Sequence, residues 1–231
     1  MLLYQQIRHH LAALIQQGAM RQNSKLPSER ELLEQFKSTR ITVREALLRL
    51  EAEGIIYRQN RKGWFVCPPR LVWNPVRKVN FYELAKQQGF KAQTNVVEVS
   101  RQWVQGEVAE AFGENTLEAF NLVRVRSLDG RAVMLEEITC PLAICATLDK
   151  QDLSGSVTQI ILEQGGVEVT HERSQVFVTT LPDDYAPQLE QNSGAPCLRI
   201  VRKRYDKHDA LVDYNIEYWL HSAIEMQVEG L

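Results

Sequence analysis

Two groups of arginines stand at spacings suited to recognising negative charge. In the first, Arg40, Arg44 and Arg49 accompany Thr39 and Thr42 in a stretch whose apolar residues, Val43, Ala46, Leu47 and Leu50, recur at helical period. A helix of that pattern hides its apolar stripe and presents a basic, hydroxyl-bearing face. The planar arginine fork donates two parallel hydrogen bonds, which matches guanine edges and phosphate oxygens. The plain alternative is the solvent-facing side of a small helical bundle. In the second group Arg124 and Arg126 are one strand period apart and so face the same side of a sheet. Two guanidinium groups buried together without partners would be costly. They need either carboxylates, with Glu136 a candidate on a paired strand, or an anionic ligand, and the residues alone leave those alternatives even.

Other chemistries find little support. The chain has no G-x-S-x-G, no P-loop and no G-x-G-x-x-G. Cys67, Cys140, Cys145 and Cys197 form no CxxC pair, and His9, His10, His171, His208 and His221 do not join them at ligand spacing. We therefore expect reduced, packed thiols, no metal, no cofactor and no enzyme activity.

The elements that must position these arginines follow from local signals. Leu3, Ile7, Leu11, Leu14 and Ile15 mark a helix that Gly18 stops. Ser28-Glu-Arg-Glu31 is a capping box opening a short second helix, with Leu32, Leu33 and Phe36 as its buried stripe. Thr39 is the expected cap of the third helix, which Gly54 ends. Ile55–Gln59 and Trp64–Cys67, joined by the polar tip Asn60-Arg-Lys-Gly63, are a hairpin signal. Three helices and a hairpin make a winged helix-turn-helix over residues 1–68, whose third helix enters the major groove. Pro68-Pro69 and Asn74-Pro75 mark a stiff linker over 69–78.

From residue 79 to 231 the pattern predicts an α+β domain with a mostly antiparallel sheet. Helices are expected at Asn80–Gln88, Ser156–Gln164 and Pro182–Gln191. Strands are expected at Thr94–Val99, Ala119–Ser127, Ala132–Thr139, Val167–Thr179, Cys197–Tyr205 and Leu211–Leu220, with Asp129-Gly130 turning the second into the third. The chain of 231 residues has an ordinary soluble composition, 44% apolar and 24% charged, and its charge is unevenly spread. Residues 1–70 carry 12 Lys and Arg against 6 Asp and Glu, whereas the remainder carries 15 against 23. Only the first part is suited to a polyanion. No apolar run reaches a membrane span and Arg8, His9 and His10 interrupt any secretion signal, so a cytoplasmic protein is expected.

Four segments carry a family resemblance: Leu26-Pro-Ser-Glu-Arg-Glu-Leu32, Thr39-Arg-Ile-Thr-Val-Arg-Glu-Ala-Leu47, Leu50-Glu-Ala-Glu-Gly-Ile55 and Gly63-Trp-Phe-Val66. They resemble the DNA-binding domain of GntR-family transcriptional regulators. The resemblance implies that Arg30 contacts phosphate or base, that Thr39, Arg40, Thr42 and Arg44 lie on the operator, and that Gly63 sits in the wing. Ile41 stands where the family usually has a small polar residue, and the wing tip is one residue longer and more basic than usual, with Lys62 as its candidate phosphate contact. Leu122-Val-Arg-Val-Arg-Ser-Leu-Asp-Gly-Arg-Ala-Val133, Glu136-Glu137, Leu153-Ser-Gly-Ser156 and Asp213-Tyr-Asn-Ile-Glu-Tyr218 resemble the UTRA ligand-binding domain of the HutC branch, whose fold is similar to chorismate lyase. That resemblance places Arg124 and Arg126 in an effector pocket. It implies that Asn80 and Ser156, at helix starts, help hold a phosphate-like group, that Glu136 meets an amino or hydroxyl group, and that Tyr218 lines the site.

Within that branch Arg40-Ile-Thr, Arg61-Lys-Gly-Trp-Phe-Val66, Asn80-Phe81 and Ile216-Glu-Tyr-Trp219 resemble regulators of phosphonate use, particularly of 2-aminoethylphosphonate. Its dianionic head suits the arginines and its amine suits Glu136. A sugar phosphate satisfies the same head-group logic. The partners expected are therefore double-stranded operator DNA with a pseudo-palindromic sequence, a small anionic effector and a second copy of the chain. Repression relieved by the ligand is the expected output, although no residue dictates that sign. The rival readings are a lyase-type enzyme in the C-terminal domain and a ligand-independent architectural DNA binder.

Overall fold

The computed structural model describes residues 1–75 and 80–228. It divides into two compact units, Met1–Val72 with Glu190–Asn192 and His221–Glu225, and Trp73–Leu189 with Ser193–Leu220 and the C-terminal residues.

The first unit contains α1 (Leu3–Gln16), α2 (Glu29–Gln35) and α3 (Arg40–Ala52), followed by β1 (Ile56–Gln59) and β2 (Gly63–Val66). Local chemistry sets the helix starts. Ser28 Oγ accepts from the Glu31 N–H at 3.2 Å, and Glu31 Oε2 accepts from the Ser28 N–H at 2.7 Å, so the capping box is closed in both directions. Thr39 Oγ1 accepts from the Thr42 N–H at 3.3 Å and caps α3. Ile7, Leu11, Leu32, Val43, Ala46, Leu47 and Leu50 pack with Ile56, Trp64 and Val66, so the wing shares the core of the helices. At the wing turn Gly63 has φ +109°, a backbone conformation that L side chains rarely adopt, so glycine is favoured there.

Within the span expected as a connector, 69–78, Leu71–Trp73 form a strand, β3, paired with β10 (Ile224–Met226). Residues 76–78, the expected domain start at 79 and the last residues 229–231 lie outside the described ones.

The second unit is α+β, built on a six-stranded antiparallel sheet. Its order is β4 (Ala92–Gln105), β5 (Thr116–Leu128), β6 (Arg131–Pro141), β9 (Leu211–Leu220), β8 (Pro196–Tyr205) and β7 (His171–Thr180). The β5–β6 turn uses Asp129 and Gly130, both at positive φ, 50° and 81°. Helices α4 (Phe81–Gln87), α5 (Glu107–Ala111) and α6 (Val157–Ile160) complete the unit. Phe120, Leu122, Ile138 and Cys140 of the sheet pack with Leu148, Leu153, Val157 and Ile161.

Two expectations need correction. β4 extends well beyond Val99, to Gln105. An edge strand, paired on one side only, tolerates polar residues such as Ser100, Arg101 and Gln102. The helix expected at Pro182–Gln191 is only a 3-10 turn, Ala186–Leu189. Pro187 lacks the N–H that a continuing helix needs there.

Candidate nucleic-acid and effector sites

α3 presents Arg40, Ile41, Arg44 and Arg49 to solvent, with Thr39 exposed at its cap and Thr42 half-buried beside it. The Thr39 and Thr42 hydroxyl oxygens are 2.9 Å apart, which fixes two hydrogen-bonding groups at the amino end of the helix. Each cation of this face has an exposed or half-exposed carboxylate neighbour. Arg30 Nε lies 3.0 Å from Glu34 Oε1, while Arg40 and Arg44 lie 3.7 and 3.8 Å from Glu29. Lys62 Nζ donates to Glu190 Oε1 at 2.7 Å within the same unit. The exposed pairs Arg30–Glu34 and Lys62–Glu190 contribute about 0–1 kcal/mol each, so a phosphate or a base edge can replace them at small cost. Ile41 is 81% exposed, and its side chain offers apolar contact to a thymine methyl.

The second arginine pair is sealed in. Val96, Arg124, Glu136 and Glu217 lie in one cross-strand row of β4, β5, β6 and β9. Arg124 donates through Nε and Nη2 to Glu136 Oε2 at 3.0 and 2.6 Å, and through Nη1 to the Leu153 and Gly155 carbonyls at 2.8 Å each. Its guanidinium thus holds the loop before α6 onto the sheet. Arg126 donates through Nε and Nη2 to the same Glu136 oxygen at 3.0 and 2.8 Å. Its other neighbour is Phe81 on α4, whose ring centre is 4.8 Å from the guanidinium carbon. Asn215 Nδ2 donates to Glu136 Oε1 at 2.7 Å. Burial alone would push the Glu136 carboxyl up, but Arg124 and Arg126, with Arg204 beyond them, hold it well below the usual carboxylate range. Burial lowers Arg124 in spite of its anionic partner.

Phe81 also packs against Trp219, with ring centres 6.2 Å apart. Beside it the Tyr82 hydroxyl donates to the Ser154 carbonyl at 2.9 Å and lies 2.8 Å from Thr94 Oγ1. Asn80 Oδ1 accepts from the Glu83 N–H at 2.9 Å, and Ser156 Oγ accepts from the Gln159 N–H at 3.3 Å, so both residues are caps of short helices.

Arg124, Arg126 and Glu136 are therefore brought together, with α4 and the Leu153–Ser156 loop around them. Tyr218 is not among them. It pairs with Leu135, one residue out of register from the Glu136–Glu217 row, so it points to the opposite face of the sheet. There it packs on Tyr185, ring centres 5.7 Å apart. Trp219 takes the position the reading gave to Tyr218. Phe81, Tyr82, Asn215 and Trp219 were missed. Strand parity singles out Trp219 and Asn215 once the register of β9 against β6 is known, and one sequence does not supply that register. Among the described residues no group of three or more His, Cys, Asp or Glu is arranged to hold a metal ion.

A basic winged helix-turn-helix and an antiparallel sheet with a buried arginine cluster together define a class of ligand-responsive DNA-binding proteins. Residues 3–66 match the description of bacterial regulatory proteins of the gntR family, and residues 87–225 match the UTRA domain. The chain belongs to the GntR family of transcriptional regulators and carries a UTRA domain. It is 28% identical to the uncharacterized HTH-type transcriptional regulator YihL of Escherichia coli K12, over 92% of this chain and 91% of that one. It is 27% identical to a protein of the same organism described as the probable fructoselysine utilization operon transcriptional repressor, over 99% of this chain and 95% of that one. The crystal structure of PhnF from Mycobacterium smegmatis shares the fold, with a TM-score of 0.67 and 24% identity over 97% of this chain and 98% of that one. No helix among the described residues is long and apolar enough to cross a membrane.

Proposed function

We propose that this regulator is a cytoplasmic repressor that binds a pseudo-palindromic operator as a homodimer and is released by a small anionic metabolite. Its operator contacts are Arg30, Thr39, Arg40, Thr42, Arg44, Lys62 and Gly63, and the effector sits beside Arg126 and Glu136 with Asn80 and Ser156 ordering the surrounding loops. The observation that carries the effector reading is a shared acceptor. The buried guanidinium groups of Arg124 and Arg126 both donate to one oxygen of Glu136, whereas Arg202 and Arg204 on the same sheet face pair with Glu172, Glu217 and Asp213. An anionic head group gives Arg126 a partner of its own, and an amine on the same molecule suits Glu136. The effector that fits both is an aminoalkyl phosphonate of the 2-aminoethylphosphonate type. The described relatives are regulators, which supports a sensory and not a catalytic role for the C-terminal unit.

A sugar phosphate is the second reading, favoured by the likeness to a repressor named for fructoselysine utilization. Calorimetric titration of the full-length protein with 2-aminoethylphosphonate and with glucosamine 6-phosphate separates the two. The proposal expects saturable heat from the phosphonate that disappears in Arg126→Ala. Heat from the sugar phosphate alone would transfer the site to the second reading, and silence from both would remove the anionic effector.

A further inference from the structure

Glu29 is an acidic residue in the middle of the basic face, and the DNA contacts proposed above give it no task. It is the first residue of α2, directly after the Ser28 cap, where a carboxylate is favoured by the free N–H groups of the helix start. Three elements meet at its side chain, which is 23% exposed. Oε1 accepts from the Trp64 indole N–H at 3.4 Å, and Trp64 is a buried member of the wing strand β2. The same oxygen lies 3.8 Å from Arg44 Nε, and Oε2 lies 3.7 Å from Arg40 Nε.

Arg40 and Arg44 are four residues apart on α3, so their like charges repel along one helix face. A single carboxylate between them offsets that repulsion and limits where each guanidinium can go. In both cases the nearest arginine nitrogen is Nε. The terminal nitrogens, which make the bidentate pair with a guanine, are left for another partner. Because Glu29 is tied to a buried tryptophan, the restraint is referred to the core and not to a floppy surface group.

We infer that Glu29 is a positioning residue for sequence reading: it touches no base itself but holds the forks of Arg40 and Arg44 in line for the major groove. It also sets a penalty on misplaced complexes, since a phosphate that draws either arginine away leaves the carboxylate facing a like charge. This rests on the assignment of α3 as the reading helix.

The test uses the full-length protein, a duplex recovered by wild type from a random-sequence pool, and a random duplex of the same length. Glu29→Gln keeps shape and removes the charge. Its affinity for the random duplex should rise by about two- to fivefold, because one negative charge near the phosphates is gone. Its preference for the recovered duplex should fall by about tenfold, with the melting temperature within about 2 °C of wild type. Opposite movement of the two affinities is a signature that a merely structural role would not give. If Glu29→Gln fails to fold, Glu29→Asp, which keeps the charge but shortens the reach, must lower the preference with the random-duplex affinity unchanged. An unchanged preference in the folded variant, with Arg40→Ala and Arg44→Ala both lowering it, overturns the role of Glu29 and leaves the reading helix standing. If the arginine variants also keep their preference, or wild type recovers no sequence, the reading helix and the inference fall together.

Discussion

Arg40 and Arg124 carry the same guanidinium in opposite settings. The side chain of Arg40 is 75% exposed beside a half-exposed carboxylate, and that of Arg124 is 1% exposed with four donated hydrogen bonds. An arginine in water has little to lose on changing partners, so it is available to a ligand as large and variable as DNA. A buried arginine is first a structural element, since its desolvation must be offset continuously by Glu136 and by the Leu153 and Gly155 carbonyls. The difference teaches that the arginines a sequence marks are not equally open to a ligand, since Arg124 is committed to the fold. Among the described residues Arg126 has Glu136 and the Phe81 ring as partners, and its side chain is the more exposed of the two, 9% against 1%.

The comparison breaks most visibly at Glu136. Glu136→Gln removes the charge shared by two buried arginines and should destabilise the second unit by about 3–5 kcal/mol, measured by urea denaturation of the full chain. A loss under about 1 kcal/mol would mean that the cluster is solvated and the contrast false. The same carboxyl gives a pH signature. Its native value is depressed, so its contribution is fully present above the ordinary glutamate titration near about pH 4.3 and is lost as pH falls below that toward the native value. Wild type should lose stability over that acid range more steeply than Glu136→Gln.

On the exposed side, Arg44→Ala should cost about 1–3 kcal/mol of specific DNA affinity while folding stability stays within about 0.5 kcal/mol. Destabilisation without loss of sequence preference would reverse its role. Thr39→Ala removes the α3 cap and should cost about 1 kcal/mol of stability, visible as a lower urea midpoint. The smallest effect belongs to the wing. If Lys62 is the phosphate contact proposed, Lys62→Ala should weaken binding evenly across sequences and reduce the salt slope by about one unit. Glu190→Gln, which releases Lys62 from its carboxylate, should act in the opposite direction.

The first unit was legible in the sequence because its determinants are local. Ser28, Glu31 and Thr39 cap helices within three residues of themselves, and the core stripe of α3 recurs within two turns. The arginine–glutamate cluster was legible as an alternative, since alternation places Arg124 and Arg126 on one face whatever the partner strand. Tyr218 was misplaced because facing depends on register. Bulges between Val96 and Glu98 and between Arg126 and Ser127 shift pairing in ways no local pattern reveals. Trp73, stacked 4.9 Å from the Arg202 guanidinium carbon, escaped notice for a similar reason, because its partner lies over a hundred residues away in sequence.

The central claim is that the exposed face beginning at Thr39 grips base edges of duplex DNA. Sequencing what the full-length protein retains from a random duplex pool, followed by a salt titration on the product, tests it most directly. The account predicts an enriched sequence with two related half-sites and an affinity that falls steeply as salt rises. Retention of the pool without enrichment, or binding indifferent to salt, would contradict it.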